Sequence, residues 1–494
     1  MERQIRQLAA ALALLFVVLL AQITHIQVIA AERLAEDPAN AARQLIAEYQ
    51  VDRGDILAAD GRTVLATSKR SRGELRYERR YPLGALTAHI TGYSSIVYGR
   101  SELEQAYDDF LAGDAPQLLP QTLTDMILGR PRRGASIVTT IDPAVQRAAA
   151  EALGDLPGGV AAIDPRTGDV LALVANPSYD PNPLSSHDPR EIRRAWAALT
   201  EDPAKPLVSR ASDELYPPGS TFKVVVAAAA LAAGYGPGSR WPNPHVLDLP
   251  DTTHDLGNFG GVTCSGGAEI TLADALRQSC NVVFGEIGLA LGPKVLAAQA
   301  RLFGFAPSPD EGEIPFDIPM QAGVFPDPSY FETHRPAVAL SAIGQDQVAT
   351  NPLHMALVAG AVANGGVMMR PRLVTEVRAP DGRVLETFEP EPISRPMSEI
   401  DAALLTRMMV DVVERGTGTA ARIPGVRVAG KTGTAQHGEG LPPHAWFVAF
   451  APAEDPQVAV AVIVLDGGSL GAEATGGRIA APIARAVIEA ALRR

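Results

Sequence analysis

Ser220-Thr221-Phe222-Lys223 sets a hydroxyl and an amine three residues apart, and it is the only S-x-x-K in the chain. Ser279-Cys280-Asn281 is the only S-x-N, and Lys431-Thr432-Gly433 the only K-T-G. Lysine is otherwise scarce: the 43 basic residues include only Lys69, Lys205, Lys223, Lys294 and Lys431. A buried amine can lose its proton, whereas a guanidinium effectively cannot, so lysines kept beside serines point to proton transfer. Ser220 and Lys223 would share one face of a helix. The run VVVAAAALAA that follows is apolar on every side, which predicts a helix buried at a domain centre. Such a setting desolvates the Lys223 ammonium, and Lys431 as a second cation depresses its pKa further. A neutral Lys223 could then take the proton of Ser220. Alone, S-x-x-K reads as a helix-capping serine and a snorkelling lysine; the three motifs together favour chemistry.

Two other motifs fail on context. Gly425 to Thr432, GVRVAGKT, fits a phosphate loop, with Asp466 after VAVIVL as a magnesium partner. That loop must open a helix, yet Gly433, Gly438, Gly440, Pro442 and Pro443 follow. Gly467 to Gly471 fits the G-x-S-x-G nucleophile elbow around Ser469, which requires a later His, and the last His is His444. All nine His read as structural or surface residues, and no metal or cofactor is expected.

The elements that must hold these residues follow from the whole chain. Its 494 residues suit two or more domains, and 46% apolar with 20% charged residues is globular composition. A net charge of −13 argues against a nucleic-acid partner. Leu8 to Ile29 is long and apolar enough to span a bilayer, after Arg3 and Arg6. The basic flank predicts a cytoplasmic tail (1–7), a membrane anchor (8–29) and an extracytoplasmic remainder; a cleaved signal peptide is the competing reading. Cys264 and Cys280 flank a predicted helix, ITLADALRQ. In an oxidising compartment they could form one bridge, and two buried thiols are the equal alternative.

The three motifs, in this order, resemble the active-site set of serine-reactive penicillin-binding proteins, whose middle motif is S-D-N in the usual form. Here Cys280 replaces the Asp. Arg53-Gly54-Asp55-Ile56-Leu57 with Asp60-Gly61 and Val64-Leu65-Ala66 reads as strand, turn and strand, and resembles the start of the class B pedestal. Ala88 to Tyr93, Leu103-Glu104 through Tyr107-Asp108, and Gly134 to Asp142 also resemble that pedestal and its junction with the catalytic domain. Gly344-Gln345, Asn351-Pro352-Leu353 and Ala363 to Gly366 are similar to the transpeptidase domain. The expected fold is α+β. A pedestal (30–154) precedes a transpeptidase domain (155–494) in which an antiparallel sheet is flanked by helices around a central buried helix. Val160 to Ile163 and Val170 to Val174 predict a hairpin, Ala445 to Phe450 and Val458 to Leu465 strands, and Ile479 to Leu492 a closing helix. About 120 residues between anchor and catalytic domain leave no room for a glycan-polymerising domain as well, which implies a monofunctional class B enzyme.

The resemblance implies a peptidoglycan stem peptide ending in D-Ala-D-Ala as substrate and β-lactams as inhibitors. Ser220 would be acylated, Ser279 would relay a proton from Lys223, and Asn281 would bind the substrate amide. Lys431, Thr432 and Thr434 would hold the terminal carboxylate. Gly433 would leave room for substrate backbone, and the N–H groups of Ser220 and Thr434 would form the oxyanion hole. A polytopic glycan polymerase is the implied partner. A D,D-carboxypeptidase, a β-lactamase or a β-lactam sensor could use the same fold. The chain's one E-x-x-x-N, the spacing of class A lactamases, is Glu36 to Asn40, ahead of all three motifs, and it has S-C-N where class D has S-x-V.

Overall fold

The computed structural model describes residues 2–30, 46, 48–73, 75–265, 267–438 and 440–493. The apolar N-terminal run is helix α1 (Glu2–Thr24). With its continuation to Ile29 it forms a 27-residue apolar span from Arg3. At ~1.5 Å per residue that is roughly 40 Å, enough for a ~30 Å hydrocarbon layer.

The first strand signals become β1 (Ile56–Leu57) and β2 (Val64–Arg70), antiparallel, followed by β3 (Tyr77–Arg80). Asp60 Oδ1 holds the turn by accepting the N–H groups of Arg62 and Thr63. Helix α2 (Leu119–Ile127) and strand β4 (Ser136–Thr139) come next, and β4 pairs parallel with β1. Gly54 is required by this approach, because a Cβ there would lie 1.8 Å from Ala135 O. Beside it, Arg53 Nε donates to Glu104 at 2.6 Å, and Arg79 Nε donates to the same carboxylate at 2.5 Å. Burial alone would raise the Glu104 carboxyl; the two guanidiniums outweigh it and hold the group below its usual range.

Asp142 starts helix α3 (Pro143–Leu153), its side chain accepting from Ala144 and Val145 N–H with Pro143 in the first turn. Strands β5 (Gly158–Ile163) and β6 (Val170–Asn176) form the expected hairpin. Then come α4 (Lys223–Ala232), α5 (Leu272–Gln278), α6 (Asn281–Leu291) and α7 (Pro352–Ala363). Strands β7 (Val374–Arg378) and β8 (Val384–Thr387) precede α8 (Glu399–Arg415). Strands β9 (Ala429–Ala435), β10 (His444–Ala451) and β11 (Val458–Val464) and helix α9 (Ala481–Ala491) complete the order.

The catalytic sheet runs β9-β10-β11-β5-β6, every neighbour antiparallel. Alternation along β11 divides two cores: Ala459, Ala461 and Ile463 face the one containing α4 and α7, while Val458, Val460, Val462 and Val464 face α3 and α9. Nine consecutive residues of α4, Lys223 to Leu231, are buried, as its sequence predicts.

The division expected at 154/155 is crossed twice. The second sheet runs β8-β7-β4-β1-β2-β3, so residues 374–387 complete the pedestal's sheet. In the other direction, Val145, Ala149 and Leu153 of α3 pack with α9 in the catalytic core. Strand pairing across such distances leaves no local mark in a sequence. A chain beginning at Gly158 therefore strips the cover from α9 and the partner from β7. We expect it to aggregate or melt at least 10 °C below the full chain, measured by circular dichroism.

Candidate active site

The turn Gly219–Phe222 carries Ser220 into α4, where Lys223 is the first residue. Gly219 has φ +52, its N–H donates to Gly344 O at 2.9 Å, and a Cβ on it would lie 2.6 Å from Thr434 O. The Ser220 turn is thus wedged between the 344 loop and β9. Trp446 Nε1 donates to Pro217 O at 2.9 Å, which ties the sheet to the same turn.

Ser279 links α5 to α6 in a left-handed conformation, φ 61 and ψ 40. That conformation is costly for a residue with a Cβ. It turns the chain so that Ser279 and Asn281 both address Lys223, while Cys280 is fully buried. The left-handed junction between α5 and α6 is what separates Cys280 from its two neighbours. Cys280 bridges to Cys264 with Cα atoms 6.2 Å apart, inside the usual range for a disulfide. In front, Asn258 Oδ1 accepts the N–H groups of Asn281 at 2.8 Å and Val282 at 3.2 Å, capping α6.

Lys223 Nζ lies 2.8 Å from Ser279 O, 2.7 Å from Asn281 Oδ1 and 3.5 Å from Ser279 Oγ. Lys431 Nζ reaches the same Ser279 Oγ at 2.7 Å and Thr432 O at 2.8 Å. Both lysines are fully buried. Burial, then the Lys431 charge, drives Lys223 well below the ordinary lysine range; burial brings Lys431 down to about 7. A neutral Lys223 has two N–H groups, and Ser279 O with Asn281 Oδ1 accept both. Its lone pair is then the one position open to a proton.

Alternation along β9 puts Lys431 and Gly433 on one face and Thr432 and Thr434 on the other. Lys431 is accordingly directed at Ser279, away from the two threonines with which it was grouped. Thr432 Oγ1 instead meets Thr417 Oγ1 at 2.6 Å, and Thr434 is half-buried. Gly433 is also crowded by the protein itself. A Cβ there would lie 2.8 to 2.9 Å from Trp446 Cβ, Pro218 O and Thr221 Cγ2, so the Ser220 turn and the neighbouring strand already need the space.

Asn258 and Thr417 are the residues that sequence reasoning missed. Asn258 sits in a stretch whose only signal is the turn chemistry of Gly257 and Gly260-Gly261. Gly416-Thr417-Gly418 reads as a helix stop and nothing more. Of the rejected motifs, GVRVAGKT runs into strand β9 and no helix, its Lys431 belonging to this cluster, and Ser469 is exposed in an irregular turn. Among the described residues, His437, His444 and Asp466 gather near the end of β9, Asp466 Oδ1 lying 2.9 Å from His437 Nε2. His444 Nδ1 already accepts the Asp466 N–H, and the two rings stack in parallel at 3.8 Å, so their lone pairs do not converge on an ion.

Ser220 at the mouth of α4 and the buried Lys223 that follows it, with a second serine and a second lysine beside the edge strand of an antiparallel sheet, are the arrangement of a serine acyltransferase site. The chain belongs to the penicillin-binding protein transpeptidases of class B: residues 158–489 match the penicillin-binding protein transpeptidase domain, and residues 53–137 the penicillin-binding protein A dimerisation domain. It is 44% identical to peptidoglycan D,D-transpeptidase PbpA of Mycolicibacterium smegmatis, over 100% of this chain and 99% of the relative. The corresponding protein of Mycobacterium tuberculosis is 41% identical, again over 100% and 99%. The ceftriaxone acyl-enzyme structure of penicillin-binding protein A from M. tuberculosis superposes with a TM-score of 0.85, covering 90% of this chain and 100% of that one.

Reducing the Cys264–Cys280 bridge should cost about 3 kcal/mol by loop-closure entropy, since it braces the turn that carries Ser279 and Asn281. Chemical denaturation with and without reductant measures this. Penicillin acylation of the reduced, folded protein should fall only a few-fold, because neither sulfur takes part in the chemistry. Thr417→Val should weaken β-lactam recognition by about tenfold through loss of the Thr432 hydrogen bond, read as the concentration giving half-maximal acylation rate.

Proposed function

We infer that this chain is a monofunctional peptidoglycan D,D-transpeptidase that works through a Ser220 acyl-enzyme and is inhibited by penicillin-type β-lactams. The observation that carries this reading is the buried Lys223, with both N–H positions of its neutral form engaged. Lys223 accepts the Ser220 proton as the hydroxyl oxygen attacks the carbonyl between the two D-Ala residues of a stem peptide. The tetrahedral oxyanion is held by the N–H groups of Ser220 and Thr434, each worth ~3 kcal/mol in comparable sites. Ser279, bonded to Lys431, passes the proton from Lys223 to the departing D-Ala amine. An amine from a neighbouring stem then attacks the acyl-enzyme, and Ser220 is restored as oxygen leaves carbon and takes back a proton. Lys431 serves chiefly the Ser279 hydroxyl, and Thr432 and Thr434 receive the substrate carboxylate. Asn281 binds the substrate amide while it orients Lys223.

Anchoring rests on α1: an apolar span preceded by Arg3 and Arg6 favours a cytoplasmic N-terminus and an extracytoplasmic catalytic domain. The pedestal, residues 30–154 with β7 and β8 added, serves as the docking module for a polytopic glycan polymerase.

Ser220→Ala should abolish covalent penicillin labelling, read as an intact-mass adduct, while Ser469→Ala leaves it unchanged. An adduct on the Ser220→Ala protein overturns the assignment. Lys223→Arg should slow acylation almost as much as Lys223→Ala, by at least 10³-fold, because arginine holds the charge but gives up no proton.

The pH dependence follows from the two lysines. Acylation needs neutral Lys223, so the rate falls on the acid side as that amine gains a proton. It also needs the Lys431 charge on Ser279, so the rate falls on the alkaline side from about pH 7. The two limbs belong to the coupled pair. Lys431→Arg should keep part of the rate and lose the alkaline limb, as measured by stopped-flow acylation with a chromogenic cephalosporin.

A further inference from the structure

Helix α2 is inside out. Leu119, Met126, Ile127 and the following Leu128 are 56%, 71%, 85% and 55% exposed, whereas Asp125 on the same helix is only 7% exposed. Positions 119, 126 and 127 lie at helical spacing on one side, so an apolar face looks outward over about two turns. No element among the described residues covers it. Arg130, Arg132 and Arg133 follow at once. Arg132 is engaged by Gly113 O and Asp114. Arg130 lies 4.0 Å from Asp125, a loose contact, and Arg133 is exposed beside Asp52.

The position of this face identifies what it meets. Strands β1 and β4 are parallel, so both start at one end of the pedestal sheet. Asp52 N–H donates to Arg132 O and Gly134 N–H to Asp52 O, which pins the arginine segment beside the point where the chain enters the pedestal. Twenty-two residues, 30–51, join that entry point to the end of the apolar span at Ile29. Whatever their arrangement, they reach at most roughly 75 Å. An apolar face flanked by arginines, within reach of a bilayer by its own tether, has the chemistry of an interfacial helix: aliphatic side chains enter the headgroup boundary and guanidiniums meet lipid phosphates.

We propose that α2 and the arginines after it form a membrane-contacting surface that seats the pedestal on a leaflet containing anionic lipid. The inference rests on α1 being a membrane anchor. Contact at a second point turns a flexible attachment into an oriented one and sets the height of the Ser220 cleft above the bilayer.

The test uses the full-length protein reconstituted in nanodiscs of phosphatidylglycerol and phosphatidylcholine, in nanodiscs of phosphatidylcholine alone, and in detergent. Hydrogen–deuterium exchange of residues 119–133 is the readout. The expected result is at least fivefold slower exchange in anionic discs than in detergent, with a smaller effect in neutral discs. Met126→Glu/Ile127→Glu should remove that protection and leave penicillin acylation of Ser220 unchanged, which verifies folding. Arg130→Gln should remove only the dependence on anionic lipid. Equal exchange of residues 119–133 in all three settings, with the protein still held in the disc, overturns the surface and leaves the anchor intact. A protein that washes off the discs overturns the anchor, and this inference with it. Protection that arises only when a polytopic protein is added to the disc also overturns it, in favour of a protein partner.

Discussion

Two fully buried amines reach one hydroxyl, Ser279 Oγ, and charging both of them there is costly. Unit charges ~5 Å apart repel by about 3 kcal/mol even at an effective dielectric constant of ~20, and burial adds a desolvation cost for each ion. The arrangement is stable only if one amine is neutral. Of the two, Lys223 is shifted further, since it bears both its own burial and the Lys431 charge. A strongly depressed amine beside the Ser279 hydroxyl thus follows from where two lysines are forced to sit.

Holding them there takes most of the catalytic domain. The apolar faces of α4 exclude water from Lys223 on the one side, and β9 carries Lys431 in from the other. Between them Ser279 sits in a left-handed conformation that few residues with a side chain adopt, and it is fixed from two directions. The disulfide binds the fully buried Cys280 from behind, while Asn258 caps the first turn of α6 in front. Close approaches at Gly219 and Gly433 then hold the Ser220 turn against the strand.

Much of this was legible in the residues alone, and the legible part shares a property. The S-x-x-K, S-x-N and K-T-G motifs, the all-apolar α4 and the hairpin of β5 and β6 are each written in a few consecutive positions. What escaped was long-range. The Asn258 cap joins residues 23 apart, and the Thr417–Thr432 pair joins residues 15 apart across a helix end and a strand. The crowding at Gly433 comes from Trp446 on the neighbouring strand and also from Pro218 and Thr221, over two hundred residues earlier. The share of residues 374–387 in the pedestal sheet escaped for the same cause, since β7 and β8 carry no mark of the sheet they join.

The shared sheet also has a meaning in time. Strand β4 is flanked by β1, synthesised some eighty residues before it, and by β7, which emerges more than two hundred residues after it. At ~5 to 20 residues per second, β4 waits at least roughly ten seconds with one row of backbone N–H and C=O groups unpaired. Open edges of that kind pair with any extended chain in reach. The nascent protein therefore passes through an interval in which its first module has a sticky side, and the last third of the chain closes it. A chaperone that shields extended segments during this window, or a ribosome pause placed before residue 374, would alter yield without touching a single residue of the mature site.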